Sequence, residues 1–385
     1  MKILLVGEYS RLHNSLKEGL EELNHEVRIV ANADGFKNYD VDYLIKKKYA
    51  FGLLRRVKNF IYLISGIDLE SLHTKKQIKQ LQLQISGYDV VQFINEASFG
   101  CTASIEKDIF DMISSWNKAC YLLSCGTDHT SIKYAKEGHF KYSILSPYQE
   151  GKDKQFLSAY GLKYLQKGFE HLHHYIFSKI EGVIASDIDY HLPLKGHPKY
   201  LGLIPNPVNT KKLNFQTLKI KEKIIIFHGI NSSNYYKKGN DIFEAALDII
   251  SLKYKNKVEI LTVRSLPYKE YINTYNKAHI ILDQVYAYDQ GYNALEAMAK
   301  GKVVFTGAEQ EWLDYYNIKE DTIAINAIPN SNKIAKKLER LILNPDEILS
   351  ISKNARQFIE QHHNYIDCAK AYLEAWTNPA PTTLS

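Results

Sequence analysis

The chain repeats one pattern from end to end: a short unbroken apolar run, a turn, then an apolar stripe at helical spacing. Ile3, Leu4, Leu5 and Val6 form the first run. A strand with no polar residue needs cover on both faces, which is the condition of a parallel strand packed between helices. Gly7-Glu8-Tyr9-Ser10 turns the chain, and Leu12, Leu16, Gly19, Leu20 and Leu23 then recur with helical period. Val27 to Val30 is the next apolar run. This βαβ opening predicts an α/β protein with a doubly wound sheet. Similar strands are predicted at 90–93, 120–124 and 183–185, with helical stretches between them.

The pattern stops once and restarts. Ile204-Pro205-Asn206-Pro207-Val208-Asn209 holds two prolines that force extended backbone and forbid helix, so it reads as an interdomain connection. Lys223 to Phe227 is a new strand, 228–239 a polar loop, and Ile242, Ala246, Ile249 and Ile250 mark a helix. Further strands are predicted at 258–263, 280–282, 303–305 and 322–325. The reading is therefore two Rossmann-like domains, 1–203 and 204–361, with a cleft at the carboxyl ends of the strands. A chain of 385 residues is long enough for two cores. The small polar tail, 379–385, is expected to fray.

Composition narrows the setting. The net charge of +6 is too small to argue for nucleic acid, and fits an anionic substrate or an anionic membrane surface. Cys101, Cys120, Cys125 and Cys368 form no C-x-x-C pair and no zinc spacing, which suits a reducing compartment. The first apolar run is broken by Gly7 and Glu8, so no signal peptide is read, and no apolar run approaches the roughly 18 residues of a membrane span. A cytoplasmic protein is expected, soluble or peripheral on the inner face of the cell membrane. Residues 46–64 alternate cations with aromatic and aliphatic groups. They form either a helix lying on an anionic leaflet or an amphipathic helix packed on the first sheet.

The densest chemistry lies at 280–307: strand, Asp283-Gln284, loop, Gly291, then a helix carrying Tyr292, Asn293 and Glu296. A glycine at the helix start lets a ligand approach, and the free N–H groups and helix dipole there suit phosphate. Glu296, one turn in, suits neutral hydroxyls such as a ribose diol, or pairs with Lys300 at i,i+4. Asp283 supplies a carboxylate to this site or is an ordinary polar strand end. Lys238, between a strand and a helix, is a phosphate-binding cation or a solvated loop lysine. Asp128 and His129 follow a buried strand: they orient an acceptor hydroxyl or move a proton, or Asp128 caps a helix. His171, His173 and His174 cluster without an evident acidic or cysteine partner and read as a helix surface, not a metal site. No Asp-x-Asp motif is read beside a plausible donor site.

These residues resemble the donor-site signature of retaining GT-B glycosyltransferases, especially family 4, the glycosyl transferases of group 1. In that family Glu-Gly-Phe-Gly leads into a helix with a second Glu eight residues after the first. Glu296 matches the second Glu, Gly291 the second Gly, and Ala297-Met298-Ala299 with Gly301 the run that follows. Tyr288 stands where the first Glu would be, and Asp283-Gln284 fits a subset with Asp-Gln ending the preceding strand. Phe227-His228-Gly229 and Lys238-Gly239 resemble the motif whose Arg and Lys neutralise the donor diphosphate, with Arg264 as a candidate second cation. Residues 204–209 resemble the family's interdomain segment.

The resemblance implies a GT-B fold whose last helix, about 362–377, crosses back to the first domain. It places a nucleotide-sugar donor, UDP or GDP, near Gly229, Lys238, Arg264 and Gly291, with the ribose on Glu296. A glycan or lipid-linked acceptor would lie near Gly7, Glu8, Asp128 and His129. It implies transfer with retention, without metal or cofactor, in surface polysaccharide assembly. No nucleic-acid motif is read in the sequence, and no nucleic-acid partner is expected. Two rivals stand beside it: a degenerate, non-catalytic subunit, kept open by Tyr288, and a nucleotide-sugar epimerase on the same fold.

Overall fold

The computed structural model describes residues 1–32, 39–153, 161–265 and 268–378. The tail at 379–385 lies outside them. Among the described residues the strands are β1 (Lys2–Val6), β2 (Glu26–Asn32), β3 (Tyr43–Ile45), β4 (Val90–Phe93), β5 (Ala119–Ser124), β6 (Gly182–Ala185), β7 (Tyr200–Leu203), β8 (Ile224–Ile230), β9 (Val258–Arg264), β10 (Ile280–Leu282), β11 (Val303–Thr306) and β12 (Ile325–Asn326). The helices are α1 (Leu12–Glu22), α2 (Gly52–Ser65), α3 (Leu69–Gln80), α4 (Ala103–Ser115), α5 (His129–Lys136), α6 (Ser146–Gln149), α7 (Lys167–Lys179), α8 (Ile188–Leu194), α9 (Asn240–Tyr254), α10 (Tyr268–Lys277), α11 (Tyr292–Ala299), α12 (Gln310–Tyr316), α13 (Ser331–Leu343), α14 (Pro345–His362) and α15 (Tyr365–Thr377).

The strands form two parallel sheets. The first has seven strands in the order β3-β2-β1-β4-β5-β6-β7, and the second has five in the order β12-β11-β10-β8-β9. Both are doubly wound orders, in which the winding reverses at one strand pair: β1/β4 in the first sheet, β8/β10 in the second. Ligands bind outside the carboxyl ends of the strands at such a reversal, so the fold itself marks residues after Val6, Phe93, Ile230 and Leu282.

The unbroken apolar runs are explained by burial on both faces. Leu4 and Val6 pack into the core shared with α4 and α7, while Ile3 and Leu5 pack on the opposite face with α1 and α15. In the second sheet Ile280 and Leu282 take one face and Ile281 the other. Each fully buried aliphatic side chain contributes about 1.5–3 kcal/mol. Two predicted elements differ in extent. The loop expected from His228 starts later, because β8 lies between β9 and β10 and its pairing runs on to Ile230 opposite Arg264. The polar His228 is accommodated by Asn240 Oδ1, 2.9 Å from its Nε2. The strand expected over 322–325 shifts to Ile325–Asn326, which pair with Phe305 and Thr306 at the end of β11.

Two segments tie the domains together. After α14, Asn364 caps α15, which packs against α1 so closely that a Cβ on Gly19 would sit 2.2 Å from the Tyr365 carbonyl. Trp376 ends that contact: its Nε1 donates to Gln92 Oε1 (3.1 Å) and its carbonyl accepts from the Tyr121 hydroxyl (2.7 Å). In the other direction, Phe140 and Tyr142 pack on the second domain, where the Tyr142 hydroxyl bonds Glu309. Trp376→Ala removes a buried aromatic and its indole bond to Gln92, and is expected to destabilise the chain by roughly 3–5 kcal/mol. Urea unfolding followed by far-UV circular dichroism reads this; an unchanged midpoint would mean that α15 is not part of the first domain's core.

Candidate active site

The carboxyl ends of the two sheets enclose a cavity of about 410 Å³. On the second-domain side its wall is built from three pieces: Asp283-Gln284 at the end of β10, Lys237-Lys238 before α9, and Gly291-Tyr292-Asn293 at the start of α11. Asp283 is buried and organises them. It accepts from Lys238 Nζ (3.0 Å), from Asn293 Nδ2 (2.9 Å) and from the Thr306 hydroxyl (3.3 Å). Lys238 is thus held by a carboxylate fixed in the sheet, with about a third of its side chain exposed. Gly239 makes the tight turn behind it: φ is +70°, and a Cβ would meet Val285 at 2.6 Å. Burial, with the neighbouring Lys238 charge, lowers Lys237 to about 8. Two adjacent ammonium groups beside a helix N-terminus make this wall attractive to a polyanion.

The first-domain wall has different chemistry. Tyr9 and Ser10 follow β1, Thr127 follows β5, and Asp187, Asp189 and Tyr190 open α8. Gly7 must be glycine, with φ +87° and only 2.2 Å between an added Cβ and Ile94. Glu8 accepts from the backbone and side-chain nitrogens of Asn14 (both 2.8 Å), and burial raises its carboxyl to about 7.

Three carboxylates meet at the cavity: Asp187, Asp189 and Asp289. Asp189 accepts from the backbone N–H groups of Tyr288 and Asp289 (3.1 Å each), and Asp289 accepts from those of Ile188 (3.0 Å) and Gln290 (2.6 Å). Asp187 Oδ1 is buried without a partner. Burial first, and then mutual repulsion, raises Asp187 well above the usual carboxylate range and Asp189 to about 7, while burial raises Asp289 to about 6. Among the described residues no three His, Cys, Asp or Glu side chains are placed to hold a metal ion together.

A family profile described as "Glycosyl transferase-like" matches residues 236–374, the greater part of the second domain. Several solved structures superpose on the whole chain. Sucrose-phosphate synthase from Thermosynechococcus elongatus does so over 98% of each chain, at TM-score 0.63 and 15% identity. A TarM mutant from S. aureus, in complex with fondaparinux, alpha-GlcNAc-glycerol and UDP, matches over 98% of this chain and 100% of its own, at 0.61 and 12%. HepE from Anabaena, in complex with UDP and glucose, matches over 98% and 99%, at 0.57 and 13%. No curated protein matches the chain in sequence. The second domain is glycosyl transferase-like in sequence, and the chain as a whole has the GT-B fold.

The structure gathers Lys238, Asp283, Gln284, Gly291, Tyr292 and Asn293 at one cavity. Other residues singled out in the sequence stand elsewhere. Glu296 faces a smaller cavity of about 100 Å³ with Arg11, Ser15, Asn209 and Lys212; Tyr292 walls both. Arg264 is bound to Glu244 and lies over the Tyr235 ring, away from the lining, because β9 is the outer strand beyond the reversal. Gly229 packs under Tyr271, whose ring would be 2.7 Å from a Cβ. Gly7 and Glu8 leave the lining to the next two residues. Asp128 is the cap of α5, in a reciprocal box with Ser131, and also bonds Ser124. His129 is buried with Nδ1 on the Tyr164 carbonyl (2.8 Å) and its ring stacked on His173. Neither lines the cavity. His173 has the acidic partner that the sequence did not reveal, Glu96 from the end of β4.

Sequence reasoning missed the carboxylates. Asp187-Ile188-Asp189 is an Asp-x-Asp motif at the carboxyl end of β6, and it does line the cavity, contrary to the expectation of no such motif there. Its position directly after a buried strand was the available signal. Tyr288 turns away from the cavity: its ring packs on Phe140 and Tyr142, and its hydroxyl accepts from the Lys141 N–H (2.7 Å).

A carboxyl with a raised folded pKa keeps its proton in the folded state where the unfolded chain has lost it. Stability therefore falls as pH rises from the ordinary carboxylate range through the folded pKa. Asp187→Asn mimics the neutral form and is expected to raise Tm at pH 8 by more than at pH 5. Scanning fluorimetry at both pH values checks this. An equal shift at both, or a fall at pH 8, contradicts the reading of Asp187 as a buried, repelled carboxyl.

Proposed function

We propose that this protein is a glycosyltransferase that moves a sugar from a nucleotide-sugar donor, UDP- or GDP-linked, to a glycan or lipid-linked acceptor, with retention at the anomeric carbon. The observation that carries the donor side is the wall made by Lys237, Lys238 and the α11 N-terminus, with Lys238 tethered to Asp283. A departing nucleoside diphosphate develops negative charge on its β-phosphate, and preorganised cations and N–H groups stabilise that charge most where water is excluded. In this reading the anomeric C–O bond to phosphate breaks, the acceptor oxygen bonds the anomeric carbon, and the acceptor proton passes to the departing phosphate oxygen. Tyr292 walls both cavities, so a ribose seated past it would meet Glu296, which faces the smaller one and would accept its hydroxyls. Asp187, a cavity-lining carboxyl with one unpartnered oxygen, is suited to a sugar hydroxyl. The UDP held by the HepE and TarM structures makes UDP the first base to try. The setting we propose is surface polysaccharide assembly in the cytoplasm, at the inner face of the membrane.

Thermal stability against a panel of UDP-, GDP-, CMP- and dTDP-sugars tests the donor. One base is expected to raise Tm selectively, a ligand at a hundred times its Kd adding about 2.7 kcal/mol. Lys238→Ala and Glu296→Ala should each reduce the shift. No shift with any of the four would overturn the donor assignment.

A further inference from the structure

Helix α2 has a surface that the rest of the molecule does not use. None of its fourteen residues is buried, and only Lys58 and Ile61 are half-covered. Leu53, Val57, Phe60 and Ile64 recur at i, i+4, i+7 and i+11 and so form one stripe. That stripe points outward: Leu53 is 74% exposed, Phe60 64% and Ile64 70%, and the flanking Phe51 and Leu63 are each 83% exposed. A helix packed on the first sheet would bury this stripe, so that alternative from the sequence does not hold.

The charges around the stripe are all of one sign. Lys46, Lys47, Lys48, Arg55, Arg56 and Lys58 fall within a stretch, 43–67, that contains no Asp or Glu. Among the described residues none of these six side chains is paired with a carboxylate. The helix is about 21 Å long by its rise per residue, short of the roughly 30 Å of a hydrocarbon core, and no described helix is long and apolar enough to cross a membrane.

We propose that α2 docks the enzyme on an anionic lipid surface, with Leu53, Phe60, Leu63 and Ile64 inserted among the acyl chains and the basic residues at the headgroups. Apolar burial and attraction to anionic lipid act together in such a helix, and neither requires it to span the bilayer. A second copy of this chain is a poor occupant. A two-fold contact through the same face would set six cations against six with no acid in the segment to offset them. The inference rests on the membrane-side setting proposed above, and not on the identity of the donor.

Flotation of the full chain with vesicles tests it, comparing pure phosphatidylcholine with phosphatidylcholine containing phosphatidylglycerol. The chain is expected to float with the anionic vesicles, less so as salt rises, and weakly with the neutral ones. Arg55→Ser with Arg56→Ser should weaken anionic binding by roughly thirtyfold. Phe60→Glu with Leu63→Glu should abolish it while leaving Tm and the nucleotide-sugar shift unchanged, because both side chains are exposed. Loss of flotation with an intact nucleotide shift separates this inference from the donor assignment. Failure of the wild type to float, or flotation of the Phe60/Leu63 variant equal to wild type, overturns it. So does a dimer in sedimentation equilibrium that Phe60→Glu dissolves without any vesicle binding.

Discussion

The cleft is held at its floor by carboxylates that take backbone N–H groups from the opposite domain. Asp189, at the start of α8, accepts from Tyr288 and Asp289; Asp289 accepts from Ile188. Such charge-assisted bonds are about twice as strong as neutral ones, yet here they hold like charges together in a buried place. The raised pKa of each member records that cost. What the seam provides is position. The loop it grips, 288–290, runs directly into Gly291 and α11, so fixing the loop fixes where the helix N-terminus points. Tyr288 completes the grip from its other side, against Phe140, Tyr142 and the Lys141 N–H.

From that seam the second-domain wall of the cavity follows. Asp283 leaves β10 at the reversal of the second sheet, and Asn293 on α11 donates to it. The same carboxylate holds Lys238. Strand end, helix start and cation are therefore one hydrogen-bonded unit, and a phosphate meeting the helix also meets the ammonium group. Lys237 and Lys238 lie on the second domain and the three carboxyl groups along the seam, the separation on which the proposed placing of diphosphate and hydroxyls relies.

Much of this was legible in the residues. Unbroken apolar runs gave the parallel strands, because a run such as Ile3 to Val6 has no polar face to leave in water. The Asp283-Gln284, Lys238 and Gly291–Asn293 pieces each follow a strand or open a helix, and the fold brings all three to one cavity. Arg264 follows a strand as well, yet it ends β9, one strand outside the reversal. Strand order is a global property that local pattern does not carry. Asp128 was ambiguous because the same side chain serves a cap or a catalyst; Ser131 three residues on decided for the cap. Asp187 and Asp189 went unrecognised because their partners lie about a hundred residues away in sequence. In α2 the mixture of cations and apolar groups was visible, and which way its apolar stripe faces awaited the structure.

The central claim is that Lys238, tethered to Asp283 beside the α11 N-terminus, holds the β-phosphate of the donor nucleotide. Calorimetric titration of the preferred nucleoside diphosphate and its matching monophosphate, into wild type and Lys238→Ala, tests it most directly. Wild type should prefer the diphosphate, and Lys238→Ala should lose most of that preference while its affinity for the monophosphate changes little. An undiminished diphosphate preference in Lys238→Ala, or none in wild type, would contradict the assignment and move the phosphate site elsewhere in the cleft.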